Sequence, residues 1–373
     1  MKLRKVGMLA FCIAGVAGCG GNDSPSAPGG GGSSTLSAPA QSSPADAAQL
    51  ASLRPTFVVS NSSSGSGART YEFQVSDRSD FSASGPAAGG FVVAVSRAGV
   101  PEGSGGTTSF TPDTDLQPAT RMYWRARVIQ GSTTSEWSPT RSFGTQIVGY
   151  SRPGELYDPL TAGATIGTTA GPTTFIPGKG IQINSESSHV RYLLAQTITS
   201  GEMSVEIEGL YGNGPGAKLK LFSMFDGTGN LYDSKYLFNV QYRGGLDGNP
   251  NNSISFKVLF GDNDWKYEPD FGQRSASVMS LSPARTYFWR AIWGSSVRVV
   301  LQDGRGGATL YDLSIPATSG TYAPTPHYAY LGANGPISVE TGSWPGAIYR
   351  NLWIGTGTRP PTLGSATADY RPY

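Results

Sequence analysis

Residues 286–313, TYFWRAIWGSSVRVVLQDGRGGATLYDL, change side at every second position. Successive side chains of a strand point to opposite faces, so Tyr287, Trp289, Ala291 and Trp293 share one face of an extended segment. Val297, Val299 and Leu301 share one face of the next, and Gly294-Ser295 and Asp303-Gly304 between the runs have tight-turn chemistry. The stretch predicts three short antiparallel strands, so the chain built around it is expected to be a β protein. Composition agrees: 51 Gly and 26 Pro among 373 residues supply many turns and leave little room for long helices. The length suits two domains. A net charge of +2, with no Lys/Arg block after Lys5, leaves no footprint for nucleic acid, and none is expected as a partner.

The two cysteines, Cys12 and Cys19, both fall in the first twenty residues and do not form a disulfide framework. Lys2, Arg4 and Lys5 precede an apolar run at 6–16, which has the length of a signal-peptide core and is too short to span a bilayer as a stable helix. Val16-Ala17-Gly18-Cys19 resembles the bacterial lipobox, with Val where Leu is usual. That resemblance implies removal of residues 1–18, a diacylglycerol thioether on Cys19 and acylation of its new N-terminus. Several acyl chains, each contributing about 0.8 kcal/mol per buried methylene, give lasting anchorage. The expected location is the cell envelope, with the membrane reached through the lipid anchor only. Gly20 in place of Asp points to the outer membrane if the host is Gram-negative. Residues 19–46, rich in Gly, Ser and Pro, bury too little apolar area to offset ordering entropy and are expected to form a flexible tether, with a reach of roughly 25–30 Å.

Residues 47–147 carry short alternating runs, near 54–59, 70–76, 91–95, 108–112, 122–128 and 136–143. Tyr71-Glu72-Phe73-Gln74-Val75-Ser76, then Leu116, Tyr123-Trp124-Arg125 and Trp137-Ser138 closing at Phe143, resemble bacterial fibronectin type III modules. The resemblance implies a sandwich that acts as a spacer, with Tyr123 packed in its core as a tyrosine corner. Residues 148–359 have the size of one larger two-sheet sandwich. Their ordered pieces at 201–208, 219–225, 297–304 and 351–354 are similar to concanavalin A-like (laminin-G-like) jelly rolls. The expected fold class is therefore all-β, a fibronectin type III-like sandwich followed by a larger concanavalin A-like jelly-roll sandwich, with a Pro-rich tail at 360–373.

Candidate chemistry is sparse. Glu202, Glu206 and Glu208 project to one face of a strand, and residues two apart lie roughly 6.5–7 Å apart, within range for two-carboxylate glycoside hydrolysis. Ser204 stands where jelly-roll glucanases, which this spacing resembles, carry a central acid. Jelly-roll polysaccharide lyases set a charge-neutralising Arg or Gln, a His and a Tyr on one concave sheet. His189 and Arg191 share a face here, but Tyr192 falls on the other. No Ser-His-Asp order, phosphate loop or Cys/His metal spacing occurs, and no cofactor is expected. Oxygen-rich runs at 226–233, 247–251 and 262–264 leave a Ca2+ site open as an alternative. The loop 261–273, GDNDWKYEPDFGQ, offers Asp262, Asp264, Trp265 and Tyr267 for stacking on sugar faces and bonding their hydroxyls, and Trp344 beside Pro345-Gly346 is a second such platform. The first reading is a lipid-anchored envelope protein whose jelly roll binds a glycan or surface protein without chemistry. The alternative is a glycan-cleaving enzyme, hydrolase or lyase, using Glu202 and Glu206, or His189 with a neighbouring Tyr.

Overall fold

A computed structural model describes residues 36–64, 67–83, 91–211, 218–228, 233–244, 253–262, 266–268, 281–317, 320–333 and 342–356. They build an all-β molecule of four sheets, with no α-helix among the described residues. Nor is any helix there long and apolar enough to cross a membrane.

The first two sheets pack as a small sandwich. Gln41–Ser43, Phe57–Ser60 and Thr107–Phe110 form one; Ala48–Gln49, Arg141–Gly144, Arg121–Gln130, Thr70–Ser76 and Ala94–Pro101 form the other in that order, with Thr133–Thr134 paired to Arg121–Gln130. Alternation along Arg121–Gln130 turns Met122, Trp124, Ala126 and Val128 inward against Phe57, Phe73 and Phe143. Tyr123 therefore lies on the outer face, not in the core, and Trp124 takes the inner position. On that outer face the guanidinium groups of Arg125 and Arg127 each stack 4.4 Å from the Trp137 ring centroid. Part of the expected tether is also folded: Leu36 belongs to this core and Gln41–Ser43 pairs with Phe57–Ser60, because the tether's last large apolar residue finds a covered site. The strand expected at 91–95 starts later, at Ala94, Val92 making a single bridge to Leu116.

From Tyr150 onward two larger sheets face each other. The first runs Tyr150–Arg152, Glu155–Asp158, Ile348–Gly355, Gly201–Glu208, Thr286–Trp293, Ser296–Gln302, Thr309–Pro316, with the hairpin Thr173–Ile176 and Gly180–Ile183 joined to Ile348–Gly355. The second runs Thr168–Ala170, His189–Leu193, Tyr328–Gly332, Lys218–Phe225, Tyr236–Arg243, Ser253–Phe260, Lys266–Glu268, with Gly342–Ser343 parallel to Lys218–Phe225. The alternation read at 286–313 decides the packing: Tyr287, Trp289, Ala291, Trp293, Val297, Val299 and Leu301 are all buried in one core. Across the layers Trp289 meets Phe222 edge-on at 5.9 Å and Trp293 lies 5.9 Å from Phe238. Where the chain passes from the small sandwich to the large one, Ala119, Tyr150, Tyr157 and Trp353 form a separate cluster with Phe91 and Ile147, and Arg152 Nη1 donates to Gln117 Oε1 at 3.1 Å.

One buried titratable group in the large core makes stability pH-dependent. His327 packs beside Trp293 and Tyr322, and its Nδ1 accepts from the Ile198 amide at 3.3 Å. Burial pushes the imidazole down to about 3 from its ordinary 6.5. Between those values the unfolded chain binds the proton and the folded one does not, so stability falls with falling pH in that window, each unit being worth about 1.4 kcal/mol. Urea unfolding between about pH 7 and about pH 4.5 is expected to show a smaller loss in His327→Gln than in the natural chain. Equal losses would remove His327 as the cause.

Candidate functional site

The three glutamates of Gly201–Glu208 lie on the outward side of the first large sheet, Met203, Val205 and Ile207 filling the inward positions. Glu202 takes both nitrogens of a fork from Arg290, Nε at 2.8 Å and Nη2 at 2.6 Å. Glu206 is gripped by Arg305 Nη2 at 2.6 Å and Arg350 Nε at 3.1 Å, and Glu208 by Arg350 Nη1 and Lys179 Nζ, both at 3.0 Å. Burial raises the Glu208 carboxyl, but the bonds from Arg350 and Lys179 outweigh it and hold the group below its ordinary value. Each carboxylate is thus engaged by a guanidinium or ammonium group, and the Glu202/Glu206 pair considered for catalysis takes part in an ion ladder on the outward side of the sheet.

The other expected positions separate. Trp344, expected as an exposed platform, is fully buried, its ring 4.7 Å from Tyr242 and 5.8 Å from Tyr211. The turn that follows is responsible: Ala347 N bonds back to Trp344 O, and Gly346, at φ +90°, donates its N–H to Ile183 O, which draws the indole inward. Asp262 is exposed just beyond Ser253–Phe260. Lys266–Glu268, expected within a loop, is a strand, and its register sets Tyr267 opposite Lys257. Asp264, Trp265 and Cys19 lie outside the described residues, as do 247–251 and 360–373. Among the described residues no three His, Cys, Asp or Glu side chains gather as a metal cluster.

The outward face of the second large sheet brings together residues that no single segment shows. Pairing places Arg191 opposite Tyr330, Tyr330 opposite Ser223, Ser223 opposite Asn239, Asn239 opposite Lys257 and Lys257 opposite Tyr267. The next row holds His189 opposite Gly332, then Lys220, Gln241 and Ser255 in register, and the one beyond holds Lys218, Arg243 and Ser253. On the opposite side of the long row Leu193, Tyr328, Phe225, Leu237 and Leu259 line up as an apolar band, Phe225 stacked on Tyr330 at 4.5 Å. The inward residues of these strands, Leu219, Leu221, Val240, Ile254 and Phe256, alternate with Lys220, Gln241 and Ser255, and that polar residue between apolar ones is the signal in the chain that points to this face.

Gln241 organises the centre of this face. Its Oε1 accepts from Lys220 Nζ at 2.5 Å and Asn239 Nδ2 at 3.3 Å, while its Nε2 donates to Ser255 Oγ at 3.1 Å. Ser255 Oγ also accepts from Arg243 Nε at 3.1 Å. Asn239 is 0% exposed and Ser223 1%, yet Asn239 Oδ1 and Ser223 Oγ meet no partner. The row is therefore recessed and holds unmet hydrogen-bonding atoms, which folded proteins rarely leave. Burial, reinforced by the Arg191 charge, holds the His189 imidazole below its usual value, so it is neutral near pH 7.

No family model matches the chain, and no curated protein matches it in sequence. Solved structures similar to it include an alginate lyase, at 12% identity and a TM-score of 0.36 over 56% of this chain and 98% of that one. The Ca2+-bound exoplasmic/lumenal domain of VIP36 is similar at 11% identity and a TM-score of 0.33, over 58% and 94%. The binding domain of botulinum neurotoxin DC, in complex with SialylT, is similar at 10% identity and 0.33, over 54% of this chain and 45% of its own. The assignment of two-sheet sandwiches rests on the strand pairing itself.

Proposed function

We propose that this is a lipid-anchored envelope protein whose larger sandwich holds a glycan along the outward face of its second sheet. The smaller sandwich is the spacer between that face and the lipid on Cys19. The observation that carries the reading is the row Arg191, Tyr330, Ser223, Asn239, Lys257, Tyr267, which crosses six strands. At about 4.8 Å per strand it extends about 24 Å, long enough for several sugar rings. A buried polar atom without a partner costs about 1–3 kcal/mol, and a sugar hydroxyl donating to Asn239 Oδ1 removes that cost. At the end of the band beside the row the exposed Leu193 and half-buried Tyr328 suit the less polar faces of the rings. The expected ligand contacts Asp262, Asp264 and Trp265, which precede Tyr267 in the sequence, remain part of this reading.

A second reading, cleavage by elimination, is supported by one observation. His189, Arg191, Tyr330 and Gln241 belong to a single sheet face, although the local sequence set Tyr192 against it. Elimination from a uronate needs its carboxylate neutralised, the neighbouring carbon's proton removed and the leaving oxygen protonated, work for which neutral His189 is suited.

A glycan array probed with the full chain is expected to show selective retention, weakened about tenfold or more by Asn239→Ala. Retention by both versions alike would sink the proposal. The same incubations, assayed for unsaturated ends that vanish with His189→Gln, separate cutting from holding.

A further inference from the structure

We infer that the joint between the two sandwiches is a lock, which makes the small sandwich a fixed bracket for the large one, and that Glu155 is the positioning residue that holds it shut. The lock does not depend on the large sandwich holding a glycan. Two domains of one chain usually swing about an exposed, polar linker unless a well-packed apolar contact joins them. Here the passage between them is covered: none of residues 141–150 is exposed. Thr145, fully buried, donates its amide to Thr120 O at 3.0 Å and its hydroxyl to Gln117 O at 2.7 Å, and Gln146 O accepts from Ala119 N at 2.9 Å. The chain therefore leaves the small sandwich tied down.

Beyond that exit, side chains of the two sandwiches meet. The ring of Phe91, from the small one, packs edge-on against that of Tyr150 at 5.5 Å. The Arg152 guanidinium lies 5.2 Å from the Tyr150 centroid and 6.0 Å from that of Phe91, and it donates across the boundary to Gln117 Oε1 at 3.1 Å. Glu155 sets its direction. One carboxylate oxygen accepts from the Tyr150 hydroxyl at 2.8 Å and from Trp353 Nε1 at 2.9 Å, and the other from Arg152 Nε at 2.8 Å. The Arg152 and Glu155 side chains are only 12% and 14% exposed, so water competes weakly for either, and removing one strands the other. Trp353 belongs to Ile348–Gly355, which pairs with Gly201–Glu208 inside the first large sheet. The lock thus runs from Gln117 of the small sandwich into the middle of a large sheet, and the large sandwich turns only when the small one turns with it.

Residual dipolar couplings of the backbone amides test this with the full chain. Amides of both sandwiches are expected to fit one alignment tensor, whereas a swinging joint gives two tensors whose magnitudes differ about twofold or more. Glu155→Ala should turn the first result into the second, because Arg152 loses the partner that aims it at Gln117 and Trp353 loses its acceptor. Phe91→Ala combined with Gln117→Ala removes the small sandwich's share of the contact and leaves every residue of the large one in place. It should separate the tensors as well, and it decides the matter if Glu155→Ala does not fold, which the amide spectrum itself reveals. Two tensors in the natural chain would overturn the lock. One tensor kept by folded Glu155→Ala would overturn the role of Glu155, and one tensor kept by the double variant would overturn the contact with Phe91 and Gln117 as what holds the joint.

Discussion

Glu206→Ala should lower the stability of the larger sandwich by about 3 kcal/mol and leave glycan retention untouched. Glu206 receives Arg305 and Arg350 at once, and the three side chains are only 13%, 18% and 18% exposed. Removing the carboxylate leaves two poorly hydrated guanidinium groups facing each other; Arg350 retains Glu208 and Thr286 Oγ1, while Arg305 keeps its position over the Phe288 ring. Glu206→Gln, which preserves an acceptor oxygen and loses only the charge, should cost less, about 1–2 kcal/mol. Urea titration gives both numbers. Were Glu206→Gln to leave the unfolding midpoint unmoved and abolish turnover of a glycan, the ion ladder would have to be read again as a catalytic pair.

Trp344→Ala is expected to cost about 4 kcal/mol, the usual loss for emptying the space of a fully buried large aromatic. Its indole is enclosed in the main core against Tyr242 and Tyr211, so the variant leaves a cavity that the surrounding sheet cannot close. Trp344→Phe should retain most of the packing and cost about 1–2 kcal/mol. A surface platform behaves otherwise: truncation would leave the unfolding curve in place and remove glycan retention alone. Thermal and urea unfolding of both variants, alongside retention on the array, distinguish the two behaviours.

The contrast between Trp344 and the 286–313 stretch shows what a reader of the chain can extract. Trp289 and Trp293 sit in a run whose every second residue is apolar, so their burial follows from local periodicity. Trp344 sits next to Pro345 and Gly346, a composition that usually marks an exposed turn; long-range ties on both sides hold it inside, the pairing of Gly342–Ser343 with Lys218–Phe225 and the bond from Gly346 to Ile183. The tether differs in the same way. Gln41–Ser43 has no strand pattern of its own and becomes a strand because Phe57–Ser60 presents an open edge.

Alternation along single strands therefore determined the fold class and most of the core: a side chain's face depends on its parity, and parity is written in the chain. The candidate face was decided by tertiary structure alone. Lys220 and Gln241 are 21 positions apart, and Tyr330 reaches Ser223 through a strand from a remote part of the sequence. Which polar residue stands beside which depends on strand order and register, and these are set by how two whole sheets close over their shared apolar core.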